Sequence, residues 1–262
     1  MTISVKSQYL YHVIEKLSSE KHNDFLRIIF LIEAVDYHKR NLDAAQKLEV
    51  TSGGWQRGTL QPPEDWKTSL GNISSEEKAH YWSFMVSIIE LEAFLSAIVR
   101  LSDVSYSLLN KQMIDAALSL GRIKPNEAGW VGNIRGYCEN KKKEKFKFLQ
   151  NNPYNQILED SWKDWLEYTT NLRNLVTHTV PLGGRTWSSC TVPCDGQVFS
   201  ALIIPKEFEI KKKDLDIDKI FCLNGFPDEM QEVFTETNSK IYSDKIHKKA
   251  HELVEKLLIE AQ

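Results

Sequence analysis

Apolar residues recur at intervals of three and four along most of this chain, and that spacing admits little besides packed helices. Phe25, Ile28, Ile29, Ile32 and Val35 share one side of a helix expected from Asp24, its N-cap, to Lys47. Tyr81, Phe84, Met85, Ile88, Leu91, Leu95, Ile98 and Leu101 stripe a second helix over about 75–110, opened by the capping box Ser74/Glu77. A break or bend is expected in it near Ser102 or Ser105. Leu158, Trp162, Trp165, Thr169, Leu172 and Val176 define a third face over 154–179, which Pro181 and Gly183-Gly184 stop. Stripes of this kind must be buried against one another, so the expected class is mainly α, a helical bundle.

The remaining elements are shorter. Residues 7–17 form a helix candidate, 111–120 another ending at Gly121, and 126–149 a third that finishes in the basic, aromatic run KKKEKFKF. Residues 49–72 hold Gly53, Gly54, Gly58, Pro62 and Pro63 and read as a long loop with Trp55 and Trp66 as packing anchors. After 180 the pattern changes. TWSSCTV and QVFSALII flank Pro193-Cys194-Asp195-Gly196, a β-hairpin signal. Lys211–Lys213 follow in a loop. Pro227 opens a long C-terminal helix to about 260, with Ile241, Ile246, Ala250, Leu253, Val254 and Leu257 on its apolar side. The expected organisation is a helical bundle over 1–180, with the hairpin and last helix of 181–262 packed on the same core.

Composition removes several function classes. A net charge of -3 over 262 residues argues against a global polyanion binder, so any RNA site must be local or assembled from two subunits. No apolar run of about 18 residues and no leader-like start occur, so no membrane association and a cytoplasmic protein are expected. Cys138, Cys190, Cys194 and Cys222 show no CxxC pair and read as free thiols; no metal site and no cofactor are expected.

The segment Asn171-Leu172-Arg173-Asn174-Leu175-Val176-Thr177-His178 combines the residue types that metal-free phosphodiester cleavage requires. A guanidinium matches phosphate oxygens and keeps its charge, while an imidazole moves protons near neutral pH. Arg173 falls on the shoulder of the apolar face and needs an anionic partner, for which Glu92, beside the stripe of the second helix, is the candidate. Five residues of ideal helix separate Arg173 from His178 by about 140°, so the pair converges only if the helix unwinds near His178 or a second subunit contributes. Val180-Pro181 favours early unwinding. The structural alternative is that Arg173 pairs with a carboxylate and His178 sits at a helix C-terminus, where the dipole favours a cation.

Arg173-Asn174-Leu175-Val176-Thr177-His178 resembles the R-x4-6-H motif of the HEPN superfamily, with the polar residue often found after the arginine. The resemblance covers about 75–180 and implies a HEPN-like helical bundle. It further implies a homodimer that brings two motifs together, and a metal-independent endoribonuclease of a toxin–antitoxin or antiviral defence setting, with an antitoxin protein as possible partner. Arg173 and His178 would then be catalytic, with Asn174 and Glu92 in support. The alternative within the same resemblance is an inactive dimeric module that binds RNA, nucleotide or a protein partner.

Elsewhere, His247 and His251 lie one turn apart on the last helix. With lysines around them and no acidic third ligand in the motif, they read as a solvated face. His12, His22, His38 and His80 have no recognisable partners in sequence, and the basic run of 141–148 reads as a solvated helix face.

Overall fold

A computed structural model describes residues 12–15, 17–48, 75–179, 189–194, 197–202, 204 and 238–262. Outside the described residues lie most of the 7–17 helix and the 49–72 loop with its two tryptophans. So do Ser74, Pro181 with Gly183-Gly184, the Asp195-Gly196 turn, Lys211–Lys213, Cys222 and the segment from Pro227 to 237.

The chain is mainly helical, as the periodicity predicts. α1 (Ser19–Gln46) leads into a two-residue strand, β1 (Lys47–Leu48). α2 (Ser75–Ser119) is followed by α3 (Pro125–Trp130), α4 (Ile134–Asn140) and a 3-10 turn (Glu144–Asn151). α5 (Pro153–Ser161) passes through a π-helical segment (Trp162–Leu166) into α6 (Glu167–Thr179). β2 (Ser189–Cys194) and β3 (Gln197–Leu202) precede α7 (Ser239–Ala261). Two compact units result, one of Met1–Asp36, Ser96–Thr169 and Lys248–Gln262, the other of Tyr37–Leu95 and Thr170–His247.

In the first unit Phe25, Ile28, Ile29 and Ile32 are wholly buried, each contributing about 1.5–3 kcal/mol of apolar transfer. Phe25 packs its ring 6.4 Å from that of Tyr154, and Tyr106 lies 5.5 Å from Tyr137. Burial pushes the Tyr137 hydroxyl up to about 12 and raises Tyr106 further still. A buried amide cluster ties α2 to the segment after it. Asn110 donates to Asn155 Oδ1 at 2.7 Å, and Asn155 returns a bond to Asn110 Oδ1 at 2.8 Å. Asn152 donates to the same Asn110 oxygen at 3.0 Å, and Asn155 also donates to the Leu149 carbonyl at 2.7 Å.

Several expectations are corrected here. Asp24 is not an N-cap, because α1 already begins at Ser19. α2 does not break near Ser102 or Ser105 but runs unbroken for 45 residues, absorbing the separate helix expected over 111–120. Ser102 donates to the Val99 carbonyl and Asn110 to the Tyr106 carbonyl, so these polar side chains bond their own helix and do not end it. Gly121 does stop it, at φ +64.

The helix expected over 126–149 is three short pieces. Asn133 caps α4 by accepting from the Gly136 amide at 2.8 Å. A Cβ at Gly136 would meet the Trp130 carbonyl oxygen at 1.9 Å, so only glycine permits this tight junction of α3 and α4. Asn152 caps α5, with Pro153 in its first turn.

In the second unit β3 pairs antiparallel with β2, as the hairpin signal predicts, and also with β1, which periodicity did not reveal. The order is β1-β3-β2. α7 is capped by Asn238, which accepts from the Ile241 amide at 3.0 Å. Ile246, Ala250, Leu253, Val254 and Leu257 are buried on it as expected, but Ile241 is 40% exposed and does not belong to its apolar side. Two nearly buried lysines bind α1 to α7: Lys39 pairs with Asp43 and with Asp244 at 2.6 Å, and Lys240 pairs with Asp43 at 3.1 Å and Asp244 at 2.9 Å. Burial alone would raise the Asp244 carboxyl, yet the two ammonium groups hold it below the usual range.

Two measurements test this packing. Asn155→Ala removes three buried hydrogen bonds, the two exchanged with Asn110 and the one donated to the Leu149 carbonyl, so urea unfolding should show a loss of about 2–3 kcal/mol with unchanged m; a loss below half of that would mean the cluster is not a strong lock. Glu159, almost buried, accepts from Lys141 and Lys163; burial opposes its ionisation but the two lysines hold its carboxyl below the ordinary value. That stabilisation is present above the unfolded carboxyl pKa and disappears as pH falls through the lower folded value. Glu159→Gln should therefore be less stable at about pH 7 and lose less on acidification than the wild type, as read from thermal midpoints across pH.

Candidate functional site

The Arg173–His178 motif falls in the last turns of α6, a helix anchored by Leu172 and Val176, both wholly buried. Arg173 follows Leu172 on the shoulder of that face, and both Arg173 and Asn174 are half-buried. The Nε of Arg173 is buried and makes no hydrogen bond among the described residues. A buried donor left in this state costs about 1–3 kcal/mol.

The partner expected for it is not engaged. Glu92 is half-buried on α2, but no hydrogen bond or ion pair joins it to Arg173. The acid that reaches across from α2 is Glu90, two residues earlier. It accepts from His38 Nδ1 at 3.0 Å and from Asn41 Nδ2 at 3.4 Å, both on α1. Sequence reading gave His38 no partner; the structure supplies one, since Glu90 projects toward α1 where Glu92, about 200° further round, does not.

α6 keeps helical geometry through Thr179, so unwinding does not begin before His178. Along such a helix the backbone directs residues 173 and 178 about 140° apart. The side chain of His178 lies outside the described residues. The π-helical segment Trp162–Leu166 precedes the motif; it shifts the phase of α6 relative to α5 and leaves the spacing within the motif unchanged.

The basic run is not one solvated helix face. Lys141 pairs with Glu159, Lys145 with Glu127 and Lys147 with Glu144. Lys143 and Lys145 also stand over the Trp130 ring, 5.0 and 5.3 Å from its centroid. Much of the positive charge that the run advertises is thus matched within the chain. The Lys145 pair and the Lys124 amide hold the Glu127 carboxyl below its ordinary range. Cys138 lies near Glu159; burial first, then that carboxylate, push its thiol up to about 12, which makes it a poor nucleophile near neutrality.

A second constellation emerges on α7. His251 is 4% exposed, so it is not part of a solvated face, and its Nε2 lies 2.7 Å from Oδ1 of the buried Asp36 on α1. His247, half-buried, precedes it by one turn of the same helix. An acidic group absent from the linear motif thus meets His251 from 215 residues away.

The sealed Nε predicts an unusual response. Arg173→Met keeps most of the side-chain volume and removes the unsatisfied donor, so stability in urea should stay level or rise by about 1 kcal/mol. A fall of more than about 2 kcal/mol would show Arg173 to be an essential structural ion-pair partner.

Compared with protein-family models, curated proteins and solved structures, the chain matches none.

Proposed function

We propose that this chain is a HEPN-like protein that acts on RNA through Arg173 and His178 as a metal-independent endoribonuclease. One observation carries the reading: a guanidinium on the shoulder of an apolar helix face, with a buried Nε that no group among the described residues satisfies. Such a donor is retained against its desolvation cost where an external acceptor completes it, and phosphate oxygens match its fork. Asn174 lies beside it on the same turn and would bind or orient the same phosphate.

The helical spacing sets the assembly this chemistry needs. With Arg173 and His178 diverging by about 140° along one helix, a single chain does not aim both at one phosphorus. A homodimer that juxtaposes two α6 helices can supply the arginine of one protomer and the histidine of its partner to a shared cleft. His178 would then exchange a proton with the 2′-hydroxyl or the leaving oxygen, and Arg173 would offset charge on the crowded phosphate oxygens. The products would be a 2′,3′-cyclic phosphate and a 5′-hydroxyl.

The unsatisfied Nε equally favours a second reading, a dimeric module that holds RNA or nucleotide without cleaving it. RNA incubated with purified protein in EDTA separates the two. Cleavage lost in His178→Ala, with an end-group assay showing the cyclic phosphate, supports the nuclease. Saturable binding without cleavage, weakened at least about tenfold by Arg173→Ala, supports the module. A monomer in sedimentation that neither cleaves nor binds RNA would overturn both.

A further inference from the structure

Within the first unit, α3 and the 3-10 turn gather a large aromatic ring and several cations on one surface. Trp130 ends α3 and is 45% exposed, high for a side chain that proteins usually bury. Its backbone is held by the buried Val131 and Ile134 that follow, and by Gly136, which lies close against its carbonyl. On the 3-10 turn Phe146 and Leu149 are wholly buried, while Lys145 and Lys147 stay exposed, as do Lys142 and Lys143 before it. The Lys143 and Lys145 ammonium groups stand 5.0 and 5.3 Å from the centre of the Trp130 ring.

Lysine stems packed on an indole need no ligand to explain them. Two further observations go beyond such packing. Lys145 has Glu127 as its counter-ion, but Lys142 and Lys143 have no carboxylate partner among the described residues. Two ammonium groups at one ring repel each other, and an anion arriving there is attracted by both. Charge is also segregated along the chain. Residues 122–147 hold eight basic and three acidic side chains, although the whole protein carries a net charge of -3. The rest of the sequence is therefore acidic, and this basic island contains an exposed aromatic platform.

We infer that this surface binds single-stranded RNA, with one base stacked on Trp130 and the neighbouring phosphates on Lys142 and Lys143. Every base has a π-face, so stacking on an indole needs no particular sequence, and cations beside it track the backbone. A base inside a duplex keeps that face covered, which selects the single strand. The lysines reach a phosphate by rotation of their own stems, with Lys145 contributing less because Glu127 holds it. An acidic peptide would meet the charges but leave the indole unused. The choice of RNA as the strand rests on the function proposed above. The surface itself uses none of the motif residues Arg173, Asn174 and His178, and no covalent step occurs on it.

A fluorescein-labelled oligomer of about twelve 2′-O-methyluridines lacks the attacking hydroxyl and so stays intact. It is titrated with the full chain in EDTA and followed by anisotropy. Binding should saturate in the micromolar range and be at least about fivefold tighter than for duplex RNA of the same length. Trp130→Ala should weaken it at least about fivefold, and Trp130→Phe should restore most of the loss. The double variant Lys142→Gln/Lys143→Gln should reduce the slope of log K against log salt by about 1.4, since each single-strand phosphate contact contributes about 0.7. All three positions are exposed, so circular dichroism should not change. Arg173→Ala separates this surface from the nuclease motif. Affinity lost in Arg173→Ala but unchanged in the Trp130 and lysine variants overturns the surface and leaves the motif standing; the reverse supports the surface and takes the motif out of binding. Equal affinity for duplex, displacement by polyglutamate as effective as by unlabelled strand, or no saturable binding would each overturn the inference.

Discussion

An α-helix turns its side chains by about 100° per residue, and that step decides which polar groups of this chain can share a ligand. Four residues nearly complete a turn, so His247 and His251 present their rings along one strip of α7. Five residues overshoot it, so Arg173 and His178 leave α6 in different directions while the helix holds, as it does through Thr179. The same rule separates Glu90 from Glu92 on α2. Two residues put them nearly on opposite sides, so Glu90 meets His38 and Asn41 while Glu92 meets neither. Helical pitch, more than residue identity, decides which of these side chains leave their helix in the same direction.

Buried polar groups in this protein fall into two kinds. The Asn110, Asn152 and Asn155 amides satisfy one another and the carbonyls around them, so they position the start of α5 without an outstanding demand for ligand. Lys39, Lys240, Asp43 and Asp244 do the same with charge: two cations and two anions alternate, and each lysine meets both carboxylates. Arg173 is of the other kind, with its Nε enclosed and no acceptor for it among the described residues. Unsatisfied groups are expensive in an interior, and most so where the group carries charge.

The helical class and much of its core were legible from period alone. Phe25 to Val35, Leu91 to Leu101 and Leu158 to Val176 stripe their helices because a face that excludes water must be apolar every turn, and those residues are buried with few exceptions. What periodicity missed was polar side chains turned back on the backbone. Ser102 read as a point of breakage but bonds its own helix; Asn133 read as a helix interior but caps a new one. The strand β1 was hidden because two residues at a helix end carry no period. At the candidate site, the shoulder position of Arg173 was readable from Leu172 and Thr169, whereas its pairing with Glu92 was a tertiary guess. Asp36 lay beyond reach of any motif, since nothing local in α1 points to a histidine near the other end of the chain.

Two histidines of this chain meet carboxylates in different surroundings. His38 lies beside Glu90 at a partly exposed contact, where a carboxylate and water share the work of solvating it. His251 and Asp36 are both almost wholly buried, so their 2.7 Å contact does work that water shares at His38.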